Sequence, residues 1–269
     1  MNQDLKTDFF DPPGPRVMAH RGASSEYPEN TMPAFRAAVE AGAAYIELDV
    51  HCTRDGEVVV VHDENLSRIA SDDRLIAELN MTELEKVDAA CNFSLGTGRP
   101  FRGQAIRVPR LSSVLQAWPE LRFVIEFKPA TPAIADATLA VVRQTGMERR
   151  VLFASEHQPP ILRARTLAPP IPTNLPAVEI VEFVQAVVTG APPSVVAGQA
   201  LQIPPEHGGQ RLATPEVIAA AHRHGLEVHV WTVNEPTEIQ EMLALGVDGI
   251  ITDYPRRLLQ LLRSRQARD

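Results

Sequence analysis

The sequence is poor in cysteine. Its 269 residues contain two, Cys52 and Cys91, in no paired-ligand spacing, which excludes a disulfide framework and a thiolate zinc centre and leaves both as thiols. Cationic side chains are also in deficit. With 26 Lys plus Arg against 34 Asp plus Glu the formal charge is −8, which argues against a nucleic-acid or anionic-membrane partner, since these normally require a basic face. No stretch approaches the roughly eighteen consecutive apolar residues of a membrane span. The first residues, Met1 to Asp8, show no cationic segment leading into an apolar one, and the chain reads as cytoplasmic, without stable membrane association. No repeat or linker divides it, and we read residues 1–269 as one domain with a core at about 15–262.

What is present is an alternation. Short β-branched runs recur at Val17–His20, Tyr45–Val50, Phe123–Phe127, Val151–Ala154, Ile171–Leu175, Val195–Ile203, Val228–Val233 and Gly249–Thr252, with helix-length patterns between them. Thr31–Ala41 and Pro215–His224 are two of these patterns, each with a proline near its start and a glycine just past its end. Eight strand–helix pairs imply a closed (β/α)8 TIM barrel. The rival, a doubly wound open sheet, lacks the glycine-rich turn expected after its first strand. Val58–Val61 follows the second strand too closely for a parallel crossover. Asp55-Gly56 signals a turn, so Asp49–His62 is expected to form an antiparallel hairpin with residue 49 opposite residue 62. Residues 65–110 form an insertion with a short helix at Met81–Asp88. Eleven prolines between His157 and Pro215 predict short helices and poorly defined fifth and sixth strands. The basic tail Arg263–Arg268 reads as a cation-rich helix end.

Catalytic groups in such barrels project from the C-terminal ends of the strands, where the polar residues are His20-Arg21, Glu47, Asp49, His62-Asp63, Glu126 and Lys128. Glu47 and Asp49 share a face, as do Glu126 and Lys128. Three carboxylates with no thiolate nearby describe a hard oxygen site for one divalent cation, Mg²⁺ or Ca²⁺. The alternative is that they pair with Arg21 and Lys128. His20 and His62, at different strand ends, suit an acid and base pair around a reacting phosphorus. His157, His207, His222 and His224 read as structural, and His229 as inward-pointing without a role.

The runs Ala19-His-Arg-Gly22, Pro28-Glu-Asn-Thr31, Glu47-Leu-Asp49, His62-Asp63, Glu126-Phe-Lys128, Trp231-Thr-Val-Asn234 and Gly249-Ile-Ile-Thr-Asp-Tyr-Pro255 resemble the glycerophosphodiester phosphodiesterase family, in its order, over residues 17–255. The resemblance implies the barrel, the insertion, and a divalent ion held by Glu47, Asp49 and Glu126. It also implies His20 and His62 as the acid and base pair, Arg21 and Lys128 on the phosphate, and Trp231 lining the cleft over the alcohol. The implied reaction is hydrolysis of small glycerophosphodiesters, such as glycerophosphocholine or glycerophosphoethanolamine, to sn-glycerol 3-phosphate and an alcohol. Two other readings stand beside it. One is a lysophospholipase D-like enzyme whose lipid chain would need an apolar wall, for which Leu175, Leu201 and Ile203 are candidates. The other is a phosphodiester-binding barrel without turnover, to which an acid and base pair would be superfluous. The Pro28–Thr31 run is also explained by an N-cap at Asn30 or Thr31. Two departures from the family pattern are Ile69-Ala70 after Leu66-Ser-Arg68, and Glu156 after Ser155, where the family shows Phe. The second suggests a polar or cationic alcohol.

Overall fold

The computed structural model describes residues 7–193 and 196–266. The readings made on Met1–Lys6, on Val195 and on Ala267–Arg268 lie outside those residues.

The barrel strands are β1 (Arg16–His20), β2 (Tyr45–Cys52), with its return strand β3 (Val58–Val60), β4 (Arg122–Phe127), β5 (Val151–Ala154), β6 (Ala200–Ile203), β7 (Glu227–Val230) and β8 (Gly249–Thr252). Parallel pairing runs β5-β4-β2-β1-β8-β7-β6, with His20 opposite Glu47 and Asp49 opposite Glu126. The fifth stave is only Thr173–Asn174. Thr173 bridges Phe153 of β5 and Asn174 bridges Ala200 of β6, both in the parallel sense, which closes the ring. Pro172 precedes these two residues and Pro176 follows Leu175, whose N–H donates to the Ala200 carbonyl at 3.0 Å; proline supplies no N–H to a ladder, which keeps the stave short. The chain is a (β/α)8 barrel. Its outer helices are α1 (Met32–Ala41), α2 (Leu111–Ala117), α3 (Ala133–Gln144), α4 (Gln158–Leu167), α5 (Ala177–Thr189), α6 (Pro215–Arg223), α7 (Pro236–Leu245) and α8 (Pro255–Gln266), one after each stave. The sixth stave begins at Ala200, short of the expected start, and the seventh ends at Val230.

Alternate residues along β2 divide the protein into an outer and an inner core. Ile46, Leu48 and Val50 pack outward beneath the helices, whereas Tyr45 joins Met18, Val124, Leu152, Ala200 and Ile251 inside the ring. The segment before β1 closes the end of the barrel where the strands begin. Phe9 is fully buried edge-on to Tyr45, whose hydroxyl donates to the Phe9 carbonyl at 2.7 Å, and Arg16 Nη2 donates to the Phe10 carbonyl at 2.9 Å. His229 does point inward. Its ring nitrogens lie 3.2 Å from Gln202 Nε2 and 3.1 Å from Glu227 Oε2, and Glu227 also meets Arg16 at 2.8 Å. On the outside, His222 meets Asp248 at 2.8 Å, a structural contact.

The β2–β3 hairpin exists, with its register one residue from the expected one. Val50 opposes Val60 and Cys52 opposes Val58, so residue 49 falls opposite residue 61, and the Val61 N–H donates to the Asp49 carbonyl at 3.0 Å. The reason lies in the turn. Asp55 and Gly56 are the last two residues of a three-residue loop rather than the two centres of a tight turn. Gly56 N–H donates to the Thr53 carbonyl at 3.0 Å, Thr53 N–H donates to Glu57 at 2.9 Å, and Gly56 takes φ +85° with open space around it. The bulge adds one residue and shifts the pairing by one. In the insertion, the helix from Met81 stops at Leu84, opened by Asn80 and Glu83, which cap one another.

Candidate active site

The C-terminal ends of β1, β2 and β4 and the end of the hairpin converge on one polar pocket. Glu47 and Asp49 point from β2 into the barrel mouth, 4% and 1% exposed, and Glu126 faces them from β4. One carboxylate oxygen from each of the three lies within 4.8 Å of the others. Two cations stand against these three anions. Arg21 Nε lies 3.1 Å from Asp49 Oδ2, while Lys128 Nζ lies 2.9 Å from Glu126 Oε1 and 3.5 Å from Asp49 Oδ1. The ion-pair reading of the sequence is thus realised in part, and it leaves one negative charge over. Burial, followed by the charges of Asp49 and Glu126, pushes the Glu47 carboxyl up to about 8. Burial and Asp49 also raise Glu126. Asp49 is lowered despite its burial, because Arg21 and Lys128 both face it. The Asp49 Oδ1 atom is buried and accepts no hydrogen bond. An orphaned carboxylate oxygen, a neighbouring carboxyl whose ionisation the crowded charge suppresses, and an all-oxygen donor set fit a hard divalent cation. Glu47, Asp49 and Glu126 are the residues that could hold it.

The two histidines flank this cluster. His20 Nδ1 lies 2.6 Å from Asp253 Oδ1, and its Nε2 lies 4.0 Å from Glu47 Oε2. Burial disfavours the imidazolium, but the Asp253 hydrogen bond and the Glu47 charge outweigh it and raise the His20 pKa. Asp253 is itself fixed by Asn234 Nδ2 at 2.7 Å and Ser24 Oγ at 2.8 Å. The His20 contact overcomes its burial and holds it at about 2. His62 follows β3, with Nδ1 2.6 Å from Asp63 Oδ1. Its carbonyl accepts from His51 Nε2 at 3.0 Å, and His51 lies on the same face of β2 as Glu47 and Asp49. Burial lowers the His51 pKa.

The Pro28–Thr31 run serves two purposes. Thr31 is the N-cap of α1, as its structural reading predicts, while Asn30 Nδ2 donates to Asp49 Oδ2 at 2.8 Å and Glu29 accepts from Arg21 Nη1 at 2.9 Å. Trp231 stands just past β7, 44% exposed, at the same end of the barrel. Glu156 is exposed at the rim with its carboxylate 3.3 Å from His157 Nε2. Leu175, Leu201 and Ile203 belong to the packed layer between sheet and helices, which removes them as a wall for a lipid chain.

The model of the glycerophosphoryl diester phosphodiesterase family matches residues 20–257. The chain belongs to this family. It is 31% identical over 252 residues to the glycerophosphodiester phosphodiesterase of Caldanaerobacter subterraneus subsp. tengcongensis, covering 92% of this chain and 97% of that one. A solved structure from Silicibacter pomeroyi DSS-3, a putative glycerophosphoryl diester phosphodiesterase, superposes with a TM-score of 0.77 at 29% identity, covering 98% and 97% of the two chains. The fold is shared also with a phosphodiesterase of Oleispira antarctica solved with its product sn-glycerol-3-phosphate, at TM-score 0.76, 24% identity and coverage of 93% and 97%.

Within this family member, Asp253 is one of the site residues to which the sequence alone gives no role. The signal was available, since an acid closing the last barrel strand in Thr252-Asp253 mirrors Glu47, Asp49 and Glu126 at theirs. Asp253→Asn keeps the shape and removes the charge, so the His20 pKa should fall and kcat drop about 10²-fold or more, as the imidazole loses the partner that orients it. A pH–rate profile whose His20 limb stays in place would refute this role.

Proposed function

We propose that this pocket hydrolyses small glycerophosphodiesters to sn-glycerol 3-phosphate and an alcohol in a metal-dependent reaction. The juxtaposition of three mutually close carboxylates with two carboxylate-oriented histidines carries this reading, and relatives named as glycerophosphodiester phosphodiesterases support it. Arg21 and Lys128 bind the phosphate, the first through a guanidinium fork and the second as a point charge. Bound at Glu47, Asp49 and Glu126, a Mg²⁺ or Ca²⁺ ion supplies Lewis-acid charge for a phosphoryl oxygen. Both imidazoles turn Nδ1 toward a carboxylate, which leaves each Nε2 to handle a proton. One takes it from the nucleophile, water or the neighbouring glycerol hydroxyl, and the other delivers one to the alkoxide as the P–O bond to the alcohol breaks; attack by the glycerol hydroxyl gives a cyclic phosphate, which water then opens to glycerol 3-phosphate. Trp231 covers the alcohol, and Glu156, which follows another barrel strand, favours a polar or cationic head group such as choline or ethanolamine. No helix among the described residues is long and apolar enough to cross a membrane. With the candidate lipid wall buried in the core, a small soluble diester is favoured over a lysophospholipid. Binding without turnover is the third outcome an assay can return.

Incubation of the protein with glycerophosphocholine, with Mg²⁺, Ca²⁺ or chelator, tests this reading. Release of glycerol 3-phosphate with a cation and its loss with chelator is the expected result. No product with any cation, despite saturable binding of the diester, would make the protein a binder.

A further inference from the structure

The insertion returns one side chain to the pocket rim. Arg68, in the helical turn Ser67–Ala70, donates from Nε to Asp63 Oδ2 at 2.6 Å. It also donates from Nη1 and Nη2 to the two oxygens of Glu29, at 2.6 and 2.8 Å. Each acceptor has a second partner. Asp63 Oδ1 lies 2.6 Å from His62 Nδ1, and Glu29 Oε1 accepts from Arg21 Nη1 at 2.9 Å. The turn that carries Arg68 is pinned from deeper in the insertion: Asn92 Nδ2 donates to the Arg68 carbonyl at 3.1 Å, and Asn92 N–H donates to Ile69 at 3.0 Å. One planar cation therefore stands between two carboxylates. One of them orients a residue from the β1 loop, the other a residue from the hairpin end.

We propose that Arg68 is a positioning residue for the phosphodiesterase reaction, clamping Asp63 and Glu29 in one guanidinium fork so that His62 and Arg21 keep a fixed mutual placement. The proposal rests on the reading of His62 as an acid or base and of Arg21 as a phosphate ligand. A guanidinium suits the task because its five donors are rigid and coplanar, whereas an ammonium is a single point charge that cannot span both acceptors. Without Arg68, Glu29 keeps Arg21 as its remaining cation and competes with Asp49 for it, and Asp63 is free to swing away from His62 Nδ1. Both effects misplace groups that must meet the same phosphorus. The clamp also gives the insertion a part in the reaction, since it bolts residues 65–110 to the β1 side of the pocket.

The test is steady-state hydrolysis of glycerophosphocholine with Mg²⁺ by the full chain, with kcat and KM separated. Arg68→Ala should lower kcat about 10²-fold through misplacement of the reacting groups. KM should rise as well, by roughly tenfold, because Arg21 shifts from the phosphate. Arg68→Lys should recover only a minor part of the loss, and added methylguanidinium should rescue Arg68→Ala but leave His62→Ala inactive. In kcat the double variant Arg68→Ala/Asp63→Asn should lose clearly less than the product of the two single losses, since both changes break the Arg68–Asp63–His62 arm, while the rise in KM follows Arg68→Ala alone. If His62→Ala is inactive while Arg68→Ala stays within about threefold of the parent in kcat and KM, or if the double variant is additive, the clamp is overturned and the site reading survives. If His62→Ala turns over normally, the site reading itself fails and the clamp falls with it. Should Arg68→Ala fail to fold, Arg68→Lys and Arg68→Gln carry the same comparison.

Discussion

Replacing His20 with alanine is expected to lower turnover of glycerophosphocholine by ~10²–10⁴-fold, and His62→Ala by a similar factor, because in the proposed reaction each removes one of the two proton-transfer groups. Neither change should cost much stability. The two side chains are 19% and 28% exposed, so alanine opens a solvated gap at the barrel mouth rather than a cavity in the packed core. The result that matters is therefore a collapse of kcat with an unfolding midpoint close to that of the parent. Near-normal turnover in either folded variant would remove that histidine from the mechanism. The two are also separable by their supports, since Asp253 holds His20 across the closing seam of the barrel and Asp63 holds His62 from its own chain neighbour.

Stripping divalent cations should abolish turnover and lower stability together, and the stability deficit should grow with pH. Glu47 is held at about 8 against an ordinary 4.5, so the folded protein binds that proton more tightly than the unfolded chain does. For a carboxyl raised in this way, the associated stability is complete below about 4.5 and is lost as pH climbs through about 8. The ion-free protein should thus melt at progressively lower temperature across that window, while saturating Mg²⁺ or Ca²⁺ flattens the trend by meeting the carboxylate charge. Glu47→Gln should flatten it without any ion and leave the enzyme inactive. Calorimetric scans at several pH values, with chelator and with Mg²⁺, distinguish these cases. A chelated wild-type protein whose melting is indifferent to pH over the window would refute the charge-crowding account of the cluster.

Most of the pocket is legible in the sequence because its members sit at strand ends and share faces by simple alternation. Glu47 with Asp49, and Glu126 with Lys128, follow from the two-residue repeat of a strand once a barrel is assumed. The features that escaped depend on ring closure. Asp253 reaches His20 only because β8 pairs with β1, and nothing local in Thr252-Asp253-Tyr254 specifies that partner. The fifth stave is similarly non-local. Thr173 and Asn174 are strand residues by virtue of their neighbours in β5 and β6, in a stretch whose prolines argue against a strand. Arg68 is a third instance, since its role appears only when the insertion folds back over Glu29.

The return arm of the hairpin is Val58-Val-Val-Val61, four identical residues with no polar member to tell one face from the other. Hydrophobic patterning, which elsewhere selects one alignment of strands by burying one set of side chains, carries no message in such a segment. The alignment must be written elsewhere, and the five residues Thr53–Glu57, with the positive φ of Gly56, are where it is written. An exposed turn thereby becomes the ruler that measures how far along the barrel mouth His62 is delivered. A length change there would go unnoticed by the valines and be felt only by the chemistry.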